Sequence, residues 1–268
     1  MRRITDRQEL LDGPLDDLEL LRGNLRDLRR INRHLGGVRL SALALDALVG
    51  DGRVGQIRGR SSKSSPGQGA HAASVSLLDV GTGAADIPVA LIARARRARP
   101  AAGPAPGGGR LHVTAIDERV EVLDAARALD PAIAALGSSG ALTLDRADGS
   151  ALPYPDGTFD VAHASLVLHH LAPPDAVTLL REMARVARCG VIVNDLLRSR
   201  GSWLGAWALT RVMTRNRYTR HDGPLSVQRA YTRRELRRML EVAGLEVAWE
   251  GSDLLRHRWA AAARQPQP

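Results

Sequence analysis

Residues 77–88 read Leu-Leu-Asp-Val-Gly-Thr-Gly-Ala-Ala-Asp-Ile-Pro and decide the fold of this chain. An apolar run typical of a strand begins at Val75 and ends at two glycines, and a helical pattern starts directly behind them. Glycines let a backbone turn tightly and lie against a ligand where a Cβ would clash. The pattern therefore predicts the strand–loop–helix junction of a nucleotide-binding α/β unit.

The acidic residue at position 86 indicates which ligand this loop favours. A dinucleotide-binding loop has a third glycine at that position, where helix and strand pack closest and the pyrophosphate binds. Asp86 stands there instead, and its carboxylate would repel a pyrophosphate. A ligand with a positive ammonium or sulfonium suits the position better, and S-adenosylmethionine carries both. This weighs against an NAD-dependent oxidoreductase, while a glycine loop without any cofactor stays the alternative.

A second acid follows the next predicted strand, residues 111–117. Without the twelve Pro/Gly-rich residues 99–110, Asp117 follows Gly83 by 22 positions. In nucleotide-binding βαβ units the acid that holds the ribose hydroxyls lies about 20 residues after the glycines. Asp117 is therefore predicted to bind a ribose, with a cap of the following helix as the alternative.

A third segment, residues 148–161, reads Asp-Gly-Ser-Ala-Leu-Pro-Tyr-Pro-Asp-Gly-Thr-Phe-Asp-Val, and Leu-His-His-Leu follows at 168–171. Together, residues 77–171 resemble class I S-adenosylmethionine-dependent methyltransferases in order and spacing. The Phe-Asp-Val and Leu-His-His-Leu phrases are similar to those of quinone-type and small-molecule C- and O-methyltransferases. One departure is Ala85, where the family often has a third glycine.

The resemblance implies an α/β fold, a seven-stranded, mostly parallel Rossmann-like sheet with helices on both faces. It also implies S-adenosylmethionine as cofactor, with Asp117 on the ribose and Asp148 on the adenine amino group. The predicted cofactor-binding residues are Asp79, Gly81, Thr82, Gly83, Asp86, Asp117, Glu118, Asp148, Gly149, Ser150 and Ser165.

Composition sets limits on the rest of the chain. A length of 268 residues with 44% hydrophobic residues suits one domain with additions. The single Cys189 excludes an internal disulfide and favours a buried thiol, and no metal is expected. Because the chain has neither an apolar run of about 18 residues nor a signal-peptide pattern, we expect a cytoplasmic protein without a membrane span.

The net charge of +9 comes almost entirely from arginine, since Lys63 is the only lysine among 38 basic residues. A basic surface attracts nucleic acids or acidic carriers. The arginines are dispersed, however, and aromatic residues for base stacking are few. Nucleic acid is therefore the less favoured substrate.

The chain divides into three parts. Residues 1–57 are predicted to form an N-terminal helical cover, with helices at 15–35 and 40–49. Residues 58–74 are low in complexity and are predicted to form a mobile linker, and the resemblance predicts a methyltransferase domain at residues 75–268. The resemblance places the leading helices over the cofactor, although a packing helix with a solvated arginine face explains the pattern equally well.

Residues 196–230 are predicted as a substrate lid inserted after strand five, at the carboxyl edge of the sheet where ligands bind. The substrate-binding candidates are Leu168, Asn194, Trp203, Trp207 and Arg220. The two tryptophans, four residues apart on one helix face, form either an acceptor wall or ordinary packing. His169, His170 and His221 are the candidate catalytic bases, each also compatible with a structural role.

These observations predict methyl transfer from S-adenosylmethionine to a small acceptor, aromatic or polyketide- or quinone-like, in secondary metabolism. Two alternatives remain from the sequence. One is an RNA methyltransferase, and the other is a noncatalytic regulator that binds S-adenosylmethionine. The sequence predicts neither the acceptor atom nor the oligomeric state.

Overall fold

The computed structural model describes residues 1–50, 74–97 and 111–266. The predicted linker at 58–74, except for residue 74, and the Pro/Gly-rich insertion at 99–110 lie outside these residues. Seven strands form one sheet: β1 Val75–Val80, β2 Leu111–Asp117, β3 Leu142–Arg146, β4 Phe159–Ser165, β5 Ala187–Leu196, β6 Glu246–Ser252 and β7 Arg258–Arg264. The strand order is β3-β2-β1-β4-β5-β7-β6. The first five strands are parallel, and β7 runs antiparallel to both β5 and β6.

Nine helices accompany the strands in the described part of the chain. They are α1 Leu18–His34, α2 Gly37–Val49, α3 Asp86–Arg97, α4 Val120–Leu129, α5 Pro131–Ser138, α6 Pro173–Val186, α7 Arg200–Met213, α8 Arg217–Arg229 and α9 Arg233–Val242. Short helical turns occupy Leu10–Asp12 and Leu168–His170. None of the described helices is long and apolar enough to cross a bilayer.

Polar side chains fix the helix starts. The Asp17 carboxylate accepts the Leu20 N–H before α1, and the Ser199 hydroxyl accepts the Ser202 N–H before α7. Such caps satisfy backbone donors that have no partner within the helix. The α1 and α7 starts, which decide what covers the sheet edge, are therefore specified locally.

The core has two layers, one on each face of the sheet. Apolar side chains of α6 and α9 pack on one face, and those of α2, α3 and α5 pack on the other. Helix α1 packs instead against α4 and α8, through Leu21, Leu25, Val122 and Tyr218. The helices thus lie on both faces as predicted, and α1 crosses the carboxyl edge of the sheet rather than its face.

The predicted fold is confirmed, although the bounds of several elements differ from the sequence pattern. The pattern at 254–261 predicts the last strand, but this strand begins at Arg258, because Asp253 accepts the N–H groups of Leu255 and Arg258 and closes a turn. Helix α8 was not predicted, since Pro224 and Gly223 favour a loop. Its start is fixed by Asn216, whose side chain accepts the Thr219 N–H.

A buried polar chain connects the sheet to α2. Asp79 on β1 is hydrogen-bonded to His163 Nδ1 on β4, and His163 Nε2 is hydrogen-bonded to Ser41 Oγ at 2.8 Å. Asn194 on β5 donates to Ser41 Oγ and to the Gly37 carbonyl, both at 2.8 Å. Buried polar groups of this kind specify one arrangement of the elements that carry them. The side chains of Asp79 and Asn194 therefore hold α2 in place.

Candidate active site

A cavity of about 960 Å³ opens where the carboxyl ends of β1, β2 and β4 meet. Its walls come from the loops after these strands, from α1, α7 and α8, and from the N-terminal segment around Glu9. All predicted cofactor residues except Asp79 line it, as do His169 and His170. The cavity is thus built from segments far apart in sequence that meet at one edge of the sheet.

The glycine loop has the backbone that its sequence predicts. Gly81 and Gly83 have φ of +66° and +54°, a region that glycine enters without steric cost. A Cβ on Gly81 would lie 2.5 Å from Val167 Cγ2, so the loop after β4 also requires glycine there. Ala85 takes φ +52° without being glycine. The loop consequently presents bare backbone to the cavity.

Asp117 is held against this loop. Its Oδ2 accepts the Gly83 N–H at 3.0 Å, and its Oδ1 accepts the Arg119 N–H at 3.1 Å. Burial raises the pKa of the carboxyl, and the two N–H groups oppose that effect. Helix α4 begins at Val120 without a side-chain cap, so capping this helix is not what fixes Asp117. Each oxygen keeps lone-pair capacity for a hydroxyl donor in the cavity.

The segment after β3 closes the same side of the cavity. Asp148 accepts the Ser150 N–H and the Ser150 hydroxyl, both at 2.8 Å. A Cβ on Gly149 would lie 2.9 Å from Val80 Cγ1, so the backbone here packs directly on β1. Glu118, after β2, is exposed at the rim.

Buried polar atoms without a hydrogen-bond partner in the described chain gather around this cavity. On residues that line the cavity they include Glu9 Oε1, Asn24 Oδ1, Asn32 Oδ1, Thr82 Oγ1, Asp86 Oδ2, Ser165 Oγ and the three guanidinium nitrogens of Arg258, while Arg22, Asn194 and Trp259 carry such atoms elsewhere. Buried polar groups in folded proteins are nearly always hydrogen-bonded. Their concentration on one set of walls indicates a site that a polar ligand completes.

His169 is the best-placed candidate base. Its Nδ1 is hydrogen-bonded to Asp195 Oδ1 at 2.7 Å, and its Nε2 lies 3.7 Å from Glu9 Oε1 at the cavity wall. Burial opposes ionisation of Asp195, but the charge and hydrogen bond of His169 outweigh it and lower the pKa of Asp195. A carboxylate on one ring nitrogen fixes the orientation of the imidazole and leaves the other nitrogen for chemistry.

His170 is oriented in the same way. Its Nδ1 is hydrogen-bonded to Asp12 at 2.8 Å, and its Nε2 lies 3.9 Å from Glu9 Oε2. Arg229 on α8 binds the same Asp12 carboxylate at 2.9 Å. One ligand-type atom from each of Glu9, His169 and His170 lies within 4.8 Å of the others, which is the spacing of a metal site. The cluster serves either as an acid–base group or, if a divalent cation binds, as its ligands.

Glu9 gives this cluster a measurable pH dependence. Burial, with Asp222 and Asp12 nearby, raises the pKa of Glu9 to about 7 against the opposing effect of His170. The unfolded chain ionises this group near its ordinary pKa of 4.5, so the free energy of unfolding falls as pH rises from there through 7. Glu9→Gln stays neutral and escapes this loss.

We therefore expect the stability of Glu9→Gln relative to the native chain to increase by about 2–3 kcal/mol between pH 5 and pH 8. Urea unfolding of both proteins at the two pH values measures it. Glu19→Gln is the matched control, because the Glu19 side chain is 77% exposed. An equal difference at both pH values would contradict the raised pKa.

Several predicted substrate and catalytic residues do not reach the cavity. His221 is about half exposed with Nδ1 on Asp222, and Arg220 binds backbone carbonyls of Thr214 and Arg211. Leu168 is in the core, and Asn194 holds α2.

Helix α7 does cover the cavity, but through Gly201, Ser202, Gly205, Ala206, Leu209 and Thr210. Trp203 and Trp207 lie on another face of that helix, and Trp207 is 41% exposed.

Glu9, Asp12 and Arg258 are among the cavity residues that the sequence does not predict. The N-terminal segment reaches the site because the N–H groups of Leu10 and Leu11 bind the Asp222 carboxylate on α8 at 2.8 and 3.0 Å. No local pattern predicts that contact across more than 200 residues. The only local sign of these site residues is the acidic character of positions 9 and 12, and acidic residues are common in polar surface segments.

Comparison with known proteins gives one family and a common fold. The family model described as a methyltransferase domain matches residues 78–193. No curated protein sequence matches the chain significantly.

Among solved structures, the mitomycin 7-O-methyltransferase is 21% identical, with a TM-score of 0.50 over 72% of this chain and 49% of that one. An O-methyltransferase family 2 protein from Planctomyces limnophilus, in complex with apigenin, is 17% identical, with a TM-score of 0.51 over 80% and 60%. Magnesium protoporphyrin IX methyltransferase from Synechocystis, with bound SAH, is 16% identical, with a TM-score of 0.50 over 84% of both chains. This chain spans about half of the mitomycin enzyme, and at these identities the likeness shows the fold alone.

Proposed function

We propose that this chain, whose residues 78–193 match a methyltransferase domain, transfers the methyl group of S-adenosylmethionine to a hydroxyl group of a small aromatic or polyketide-like acceptor. The observation that carries this proposal is the imidazole of His169 at the cavity wall. Its Nδ1 is bound to Asp195, and its Nε2 has no hydrogen bond in the described chain. A hydroxyl acceptor is the class of substrate that needs such a base.

The residues present fit the cofactor. Asp117 offers a half-buried carboxylate for the ribose diol, and the Asp148–Ser150 segment offers an acid and backbone for the adenine edge. Asp86 offers the negative charge that a cationic ligand needs. When bound, S-adenosylmethionine supplies a sulfonium methyl group that is already strongly electrophilic. The protein's part is then to position the acceptor, remove its proton and exclude water.

The cavity is large enough for two ligands. Ligand sites commonly measure about 300–1,000 Å³, and this one is at the upper end of that range. Its walls include small and apolar residues, with Leu25 and Leu28 from α1 and Gly205, Ala206 and Leu209 from α7. An apolar ring system fits such walls, with its hydroxyl turned to His169.

The proton path follows from the hydrogen bonds. Because Asp195 fixes Nδ1, the acceptor proton would pass to Nε2, and the buried carboxylate would stabilise the imidazolium that forms. Glu9, next to Nε2, is the acidic group nearest to that proton. The three residues come from β5, the turn after β4 and the N-terminal segment, so the base is assembled only in the folded chain.

A substitution at Gly205 on α7 tests whether the acceptor binds next to this helix. A Cβ there meets nothing within 4 Å, so the helix tolerates a side chain that projects toward the cavity. We expect Gly205→Leu to lower kcat/KM for the acceptor by about tenfold or more, since it fills the acceptor side. The affinity for S-adenosylmethionine, measured by calorimetry, should stay unchanged.

Ala208→Leu is the matched control, because Ala208 is exposed on α7 and does not line the cavity. Its kinetics should equal those of the native enzyme. A panel of phenols, quinols and polyketide aromatics supplies the acceptor for both variants. If Gly205→Leu weakens cofactor binding but spares acceptor KM, α7 covers the cofactor and the proposed acceptor site is wrong.

A further inference from the structure

Arg258 is fully buried, and no described residue accepts a hydrogen bond from its guanidinium group. It is the first residue of β7, opposite Leu196 on β5, and its side chain is inaccessible to solvent. Nε, Nη1 and Nη2 all lack a hydrogen-bond partner among the described residues. Burial lowers the pKa of Arg258 to about 10, against the attraction of Asp195, Asp86 and Asp253. A buried charge without a paired group is costly, so a ligand anion is the expected partner.

The guanidinium belongs to the same cluster as Asp86. A Cβ on Gly37 would lie 2.3 Å from Arg258 Nη1 and 2.7 Å from Asn32 Oδ1, so both side chains abut the turn between α1 and α2. Asn32 Nδ2 donates to Asp86 Oδ1 at 3.3 Å, while Asp86 Oδ2 is buried without a partner. The other two carboxylates are engaged, since Asp195 binds His169 and Asp253 binds backbone N–H groups. The guanidinium of Arg258 and the Oδ2 atom of Asp86 therefore remain available to a ligand.

The strand order places this cluster at one end of the cofactor. The adenine segment follows β3, and Asp117 ends β2, so the nucleoside lies over the β3–β2 side of the sheet. Asp86 follows β1, and Arg258 lies beyond β4 and β5 in the order β3-β2-β1-β4-β5-β7-β6. The remaining part of the cofactor, its methionyl group, must extend in this direction. That group carries one ammonium and one carboxylate.

We propose that Arg258 binds the α-carboxylate of the methionyl group of S-adenosylmethionine while Asp86 binds its α-ammonium. The proposal rests on the methyltransferase assignment and concerns the cofactor alone. An arginine fork matches a carboxylate with two parallel hydrogen bonds, and the free oxygen of Asp86 accepts from the ammonium. Arg258 thereby acts as a positioning residue, since holding the carboxylate fixes the sulfonium opposite His169.

The test uses ligands that differ in the amino-acid group. S-adenosylhomocysteine has both charges, its decarboxylated analogue keeps the ammonium alone, and 5′-methylthioadenosine has neither. We expect Arg258→Met to weaken S-adenosylhomocysteine binding by about 10- to 100-fold in calorimetry, the range of charge-assisted hydrogen bonds. Its affinity for the other two ligands should equal that of the native protein. Arg256→Met, an exposed neighbour on the same turn, is the matched control.

The native protein alone gives a second readout that no folding defect can affect. It should bind S-adenosylhomocysteine about tenfold or more tightly than the decarboxylated analogue. Equal affinities for these two ligands would overturn the proposal, as would an equal loss for all three ligands in Arg258→Met. Unchanged S-adenosylhomocysteine binding with a raised acceptor KM would overturn it too and make Arg258 an acceptor anchor. None of the binding measurements needs an acceptor, so a wrong acceptor class would leave them intact.

Discussion

His169→Gln should lower kcat for methyl transfer by about 10²- to 10⁴-fold, the usual contribution of a positioned general base. Glutamine keeps a hydrogen-bonding group toward Asp195 but cannot accept the acceptor's proton. The proposed cofactor residues lie mainly in the loops after β1, β2 and β3, so calorimetric affinity for S-adenosylhomocysteine should stay close to that of the native enzyme. Stopped or continuous assays with labelled S-adenosylmethionine measure the rate.

Three comparisons separate a base from a structural residue. Asp195→Asn should lower kcat less than His169→Gln, because the imidazole remains but loses its fixed orientation. His221→Gln should match the native enzyme, since its side chain is about half exposed outside the cavity. Dialysis against a chelator should leave kcat unchanged.

Native activity in His169→Gln would contradict the assignment of the base. A chelator-induced loss restored by a divalent cation would assign Glu9, His169 and His170 to a metal instead. These outcomes differ in a second respect. If His169 is the base, kcat depends on pH in the native enzyme and loses that dependence in His169→Gln. If His169 is a metal ligand, the variant instead binds less metal than the native enzyme.

Asp117→Ala should weaken S-adenosylmethionine binding by about 1.5–3 kcal/mol, the value of charge-assisted hydrogen bonds to a diol. The carboxylate also accepts the Gly83 N–H at 3.0 Å, so its removal loosens the glycine loop in addition. Calorimetry on the folded variant measures the change. An unaltered dissociation constant would show that the ribose is bound elsewhere.

Asp124→Ala is the control for this experiment. Asp124 lies on the exposed side of α4, pairs with Arg127 and does not line the cavity. The same loss in both variants would indicate a general effect of charge rather than a ribose contact. Asp117→Asn should have an intermediate effect, because the amide keeps an acceptor oxygen for one hydroxyl.

The sequence predicted the parallel half of the fold because its signals there are local. Strand β2 begins and ends where predicted, at residues 111 and 117, since it is a mainly apolar run ended by an acidic residue. Helix α8 and the start of β7 were missed, because side chains of Asn216 and Asp253 override the loop character of the surrounding residues. Local composition cannot show which side chain will satisfy a backbone N–H.

The residues of the candidate site likewise fall into those that local motifs predict and those that only long-range contacts bring to the cavity. The glycine loop, Asp117 and Asp148–Ser150 were predicted because motif spacing carries them to one sheet edge. Glu9 and Arg258 were not, since Glu9 reaches the cavity through the contact of the N-terminal segment with Asp222 on α8, and Arg258 through the pairing of β7 with β5. Asp79 was predicted as a cofactor residue, yet its carboxylate is bound to His163 in the core.

In the predicted lid, helical spacing predicts a helix but not which of its faces turns toward the cavity. The chain from 196 to 230 does contain helices that cover the cavity, but periodicity alone does not tell which face turns inward. Trp203 and Trp207 were proposed as an acceptor wall because they lie four residues apart on one helix face, whereas mostly small residues line the cavity from α7. Small residues leave the volume that an acceptor ring needs.

The most direct test of the account is to find where the methyl group goes. Native enzyme and methyl-labelled S-adenosylmethionine are incubated with the acceptor panel and, separately, with total RNA, and each product is analysed by mass spectrometry and NMR. We predict a label on the oxygen of a phenolic or enolic small molecule, and that His169→Gln forms this product at least about 10²-fold more slowly. Label in RNA, or no transfer to any acceptor by a protein that binds the cofactor, would contradict the account.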